Sequence, residues 1–113
     1  MDILNPLLAL FSIALGLFGW LAPRYTMQVV GLSAENPMGP SEVRAASGAL
    51  FVGLGVGALF LGSPAAYAMI GFAWGFAAIG RATSIALDGP TPRKWGFFAT
   101  EAVVGILAVG LNI

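Results

Sequence analysis

Four apolar segments, separated by three connections, leave this chain almost no way to fold as a water-soluble domain. A helix of about 20 residues spans the hydrocarbon core of a bilayer, and four such spans take up nearly all of the 113 residues. Composition agrees: 58% of the residues are hydrophobic, only 9% are charged, and mean hydropathy is +0.91. The expected fold class is all-α, an integral membrane four-helix bundle. It forms a single transmembrane domain over residues 1–113 and runs up-down-up-down.

The five cationic residues orient it. Arg24, Arg44, Arg81, Arg93 and Lys94 fall in or beside the first and third connections, whereas the Gly62-Ser63 turn carries no charge. Short loops rich in Lys and Arg stay in the cytoplasm. Both termini and the 62–63 turn are therefore expected on the non-cytoplasmic side of an inner membrane, with 23–41 as a cytoplasmic loop. The first apolar stretch begins with acidic Asp2, lacks a preceding Lys or Arg, and is too long for a signal-peptide core. It reads as a retained helix.

Proline and small polar residues mark the boundaries. Helix 1 is expected at about 5–22, with Pro6 tolerated in its first turn and Pro23 ending it. The mixed polar and apolar stretch after Pro23 suits a short segment lying along the inner surface, broken by Gly31 and by Asn36-Pro37-Met38-Gly39-Pro40. Ser41 is the expected N-cap of helix 2 (42–61), with Glu42 favoured by the helix dipole. Ser63-Pro64 starts helix 3 (64–87), Asp88-Gly89-Pro90 stops it, and Thr91-Pro92 starts helix 4 (92–112). Among 16 glycines, the pairs Gly53/Gly57 and Gly71/Gly75 have the spacing that lets helices approach closely in lipid. Packing inside the bundle is the expected use, and packing on another protein the alternative.

The inward half of the bundle collects the polar side chains. Arg81, Ser84 and Asp88 share one face of helix 3, and Trp74 lies seven residues before Arg81 on the same face. Glu101 is roughly 13 Å beyond Pro92 at helical rise, so Arg81 and Glu101 fall at similar depth and can pair. An ionised side chain alone at the centre of a membrane helix costs about 2.5–3.5 kcal/mol, which favours that pairing. Asp88 can serve Arg81 or Arg44 from the helix end, and helix 2 adds Arg44 and Ser47 on one face, with Glu42 in the same turn. The candidate cluster is Arg81, Glu101, Asp88, Ser84, Arg44, Glu42 and Ser47. It is either a buried ion network that sets helix register or a polar pocket for a ligand head group.

Several classes drop out. With no Cys and no His, disulfides, thiol chemistry and the commonest transition-metal ligands are excluded, and none of the serines has a histidine base. No catalytic residue, metal site or cofactor is expected. Zero net charge and no basic footprint argue against nucleic acid.

Asn36-Pro37, Ser41-Glu42-x-Arg44, Gly80-Arg81, Ser84 and Asp88-Gly89-Pro90, followed by Glu101, resemble the bacterial membrane proteins grouped as domain of unknown function 4345. The resemblance covers nearly the whole chain and implies the same four-helix plan. It also implies that Glu42, Arg44, Arg81, Asp88 and Glu101 are the characteristic polar positions, in a multi-pass protein of the bacterial inner membrane.

Three functions are weighed. The favoured one is a non-enzymatic accessory or structural subunit of a larger membrane complex, with other membrane subunits or further copies of the chain as partners within the bilayer. The second is a binder or enzyme for a hydrophobic small molecule (lipid, quinone or isoprenoid), with Arg81, Glu101 and Asp88 contacting its head group or supplying acid–base chemistry. The third is a small proton-coupled transporter, since four helices with an intramembrane Glu resemble the small multidrug resistance exporters. Those carry their essential Glu in the first helix, where this chain has no charge beyond Asp2.

Overall fold

Two of the helix starts are set by side chains that accept orphan backbone N–H groups, each followed by a proline able to begin a helix. The computed structural model describes residues 3–33 and 36–113; the acidic Asp2 lies outside the described residues. It contains five helices: α1 (Leu4–Leu21), α2 (Pro23–Val30), α3 (Met38–Leu61), α4 (Pro64–Asp88) and α5 (Pro92–Asn112). All except α2 are long and apolar enough to cross a membrane.

Ser63 Oγ accepts from the Ala66 amide at 3.2 Å, and Thr91 Oγ1 from the Lys94 amide at 3.1 Å. A proline follows each cap, where its missing N–H costs nothing. Helix α3 corrects the expectation. It begins at Met38, three residues before Ser41, because Asn36 Oδ1 accepts the Met38 amide at 2.9 Å and starts the turn earlier. Pro40 is accommodated in that first turn, where intrahelical donors are not yet needed. The stretch 23–41 is thus largely helical, with α2 ending where Gly31 takes φ 82°.

Helix α3 is also irregular within. Ala45–Ala49 form a π-helical turn, a feature the sequence had not signalled. Its residues are all small, and such turns carry one extra residue and shift the faces on either side.

The helices associate mainly as two pairs, α1 with α3 and α4 with α5. Glycine makes both seams close. A Cβ on Gly16 would stand 2.7 Å from the Gly48 carbonyl oxygen, and one on Gly105 would stand 2.6 Å from the Gly75 Cα. Gly71 and Gly75 therefore do pack within the bundle. Gly53 and Gly57 do not: nothing lies within 4 Å of a Cβ built on either, and the close α1–α3 seam uses Gly16, Gly19, Gly48 and Gly55 instead.

The two pairs meet across Trp74. Its ring lies 5.7 Å from that of Phe11 on α1 and 5.1 Å from that of Phe51 on α3. Its Nε1 donates at 3.3 Å to Ser12 Oγ, which itself donates at 2.9 Å to the Phe51 carbonyl. Ser12 is fully buried, so this one hydroxyl links three helices. Farther along, Asn5 and Asn112 exchange reciprocal 2.8 Å amide hydrogen bonds between the start of α1 and the end of α5. Hydroxyls that find no such partner fold back: Thr26, Thr83 and Thr100 each donate to the carbonyl four residues earlier.

Candidate functional site

Two antiparallel helices in close register place a guanidinium opposite a carboxylate. On α4 and α5, Gly71 lies against Val109 and Gly75 against Gly105, so between one and two helical turns further along Arg81 reaches Glu101. Arg81 Nε donates to Glu101 Oε1 at 3.2 Å, and Nη2 donates to Oε2 at 2.9 Å. Such a forked pair is among the strongest side-chain contacts available. The carboxylate side chain is 13% exposed and the guanidinium side chain 35%, so the cation forms the more open edge of the pair. The Arg81 guanidinium carbon also stands 5.2 Å from the centre of the Phe97 ring, within cation–π range.

This pair borders a cavity of about 380 Å³ in the seam between the two helix pairs. Every helix contributes: Leu15 and Phe18 from α1, Tyr25 and Val29 from α2, Ser47 and Phe51 from α3, Trp74 and Arg81 from α4, and Phe97, Thr100 and Glu101 from α5. Most of its wall is aliphatic or aromatic. Its polar groups are the ion pair and the hydroxyls of Ser47, Thr100, Tyr25 and Thr26. Ser47 belongs to the π-helical turn of α3. Trp74, which shares a face with Arg81, lines the cavity too.

The wider cluster expected from sequence does not assemble. Arg81–Glu101 is the one ion pair among the described residues. Asp88 serves neither Arg81 nor Arg44; its Oδ2 accepts from Ser84 Oγ at 3.0 Å, one turn back on its own helix. The cause is geometric, because Asp88 is the last residue of α4 and lies about 10 Å along the axis from Arg81. Arg44 goes elsewhere, with Nη1 donating to the Trp20 carbonyl at 2.7 Å. Glu42 is exposed at the start of α3. Of the seven candidates, Arg81, Glu101 and Ser47 share one cavity, while Asp88, Ser84, Arg44 and Glu42 lie outside it.

Sequence reasoning also missed partners. Tyr25 and Phe97 had no polar motif to flag them. Ser12 could have been found, because a lone hydroxyl inside an apolar helix must satisfy its hydrogen bonds within the protein.

Chemically, the cavity offers a neutral ion pair, uncommitted donors on Arg81 Nη1, and hydroxyls set in an apolar wall. Among the described residues no three His, Cys, Asp or Glu side chains gather in a way that would ligate a metal. The arrangement suits holding a molecule that is mostly apolar with one polar end.

A family model described as a domain of unknown function, DUF4345, matches residues 1–112. No curated protein and no solved structure matches the chain. A match of that extent spans all five helices and both halves of the ion pair, and the chain belongs to the DUF4345 family.

Proposed function

We propose that this is a multi-pass protein of the bacterial inner membrane that binds a hydrophobic small molecule bearing a polar head, without transforming it. Membrane residence is supported by the outward display of large apolar side chains, such as Phe60 at 85% and Ile106 at 72% exposure. The one-sided cations support an orientation with both termini on the non-cytoplasmic side. The observation that carries the binding reading is the 380 Å³ cavity with Arg81 and Glu101 on its wall. The head group would meet the ion pair and hydroxyls, and the apolar body would lie against Trp74, Phe51 and Val29.

Its test is to purify the protein in mild detergent and identify co-purifying small molecules by mass spectrometry. Wild type should carry a compound of this kind, and Glu101→Gln or Ser47→Leu should lower its occupancy about tenfold. Finding only detergent and bulk phospholipid, or equal occupancy in the variants, overturns the reading.

A second reading, the accessory subunit of a larger complex, is favoured by the open Gly53/Gly57 face of α3, which nothing among the described residues covers closely. Cross-linking from that face in native membranes should trap a neighbouring helix. A lone monomer that forms no cross-link would count against it.

A further inference from the structure

A second pocket, apart from the ion-pair cavity, gathers two arginines. It has a volume of about 550 Å³ and lies where the end of α1, the start of α2 and the first turns of α3 converge. Trp20, Arg24, Pro40, Ser41 and Arg44 line it. Neither arginine has a carboxylate within ion-pair distance among the described residues, and Glu42, next to Ser41 and two residues before Arg44 on α3, forms no ion pair with Arg24 or Arg44. Arg44 is nonetheless held in place. Its Nη1 donates to the Trp20 carbonyl, one of the last carbonyls of α1, where a cation is favoured by the helix dipole. That contact spends one nitrogen and leaves Nε and Nη2 uncommitted among the described residues.

We infer that this pocket binds the phosphate of an anionic phospholipid head group. Two guanidinium groups in one cleft attract an anion, and their planar forks match the oxygens of a phosphate. The Ser41 hydroxyl is available as a further donor, since α3 begins at Met38 and does not use it as a cap. A lipid fits better than a free anion because the pocket is flanked by outward-facing apolar side chains. Trp20 is 42% exposed, Leu21 beside it 67%, and Leu50, next to the lining residue Ala49, 57%. A head group in the cleft would lay its acyl chains along these residues. Basic pockets at the cytoplasmic ends of membrane helices recognise anionic lipids in this way.

The test uses the full chain, delipidated in detergent and titrated by native mass spectrometry with phosphatidylglycerol, phosphatidylcholine or inorganic phosphate. Wild type should bind phosphatidylglycerol about tenfold more tightly than phosphatidylcholine, and the double variant Arg24→Gln/Arg44→Gln should lose that preference. Arg24→Gln alone removes no hydrogen bond within the described chain, so it reports on binding even if the double variant folds poorly; it should lose about half the preference on a logarithmic scale. The control Arg93→Gln/Lys94→Gln should keep the preference. The inference fails if Arg24→Gln and the double variant retain it, or if the control abolishes it equally. Displacement of the lipid by millimolar inorganic phosphate would overturn the lipid assignment and make this a free-phosphate site.

Discussion

Arg81 and Glu101 face each other through two nearly matched contacts, 3.2 Å from Nε and 2.9 Å from Nη2, across the seam between α4 and α5. Each satisfies a group that the other helix would otherwise leave alone in an apolar setting. Removing one partner therefore strands the other, and the single variants should cost more than the pair is worth. Arg81→Gln and Glu101→Gln should each destabilise by about 2 kcal/mol, and the double variant by clearly less than the sum. Unfolding in mixed micelles, followed by circular dichroism, measures the cycle. Strict additivity would mean that the two side chains do not interact.

Ser12 accepts from Trp74 and donates to the Phe51 carbonyl, joining three helices through one hydroxyl. Ser12→Ala should cost about 1–2 kcal/mol, because the buried indole N–H loses its acceptor. Trp74 emission should shift at the same time, as its hydrogen bond is lost. An unchanged spectrum would place the indole elsewhere.

Glycines on the two sides of α3 should respond oppositely to the same substitution. A methyl group on Gly48 would run into the Trp20 backbone, so Gly48→Ala must push α1 and α3 apart. It should destabilise by about 2 kcal/mol or more. Gly53→Ala meets nothing within 4 Å and removes a flexible residue from a helix, so it should stabilise by up to about 1 kcal/mol. Thermal unfolding of the two variants side by side decides it. A loss at Gly53 would instead indicate that a partner covers that face.

Asn5 and Asn112 close the bundle at the end away from the arginines. Asn5→Leu should cost about 1 kcal/mol by leaving the Asn112 amide half-satisfied. The double variant Asn5→Leu/Asn112→Leu should recover part of that loss. If the double variant is the least stable of the three, the reciprocal pair is wrong.

Much of the local structure was legible because it depends on neighbours in sequence. Ser63-Pro64 and Thr91-Pro92 start helices through contacts three residues long, and Gly31 and Gly62 end helices with positive φ that glycine alone adopts freely. The start of α3 was misplaced for a local reason too, since Asn36 Oδ1 accepts the Met38 amide and begins a turn before Ser41 is reached. The Arg81–Glu101 pair was legible because one short turn joins its helices, which leaves little freedom in their relative register.

What the amino-acid order determined by itself is thus the helical spans, their punctuation and the pairing across the α4–α5 hairpin. Only the tertiary structure decided which glycines face inward, that Asp88 and Arg44 stay out of the ion pair, and that Ser47 and Tyr25 join it around a cavity. The reason is rotational. An apolar helix with little amphipathic bias can turn almost any face to its neighbours, and close backbone contact at Gly16, Gly48, Gly75 and Gly105 is what selects one.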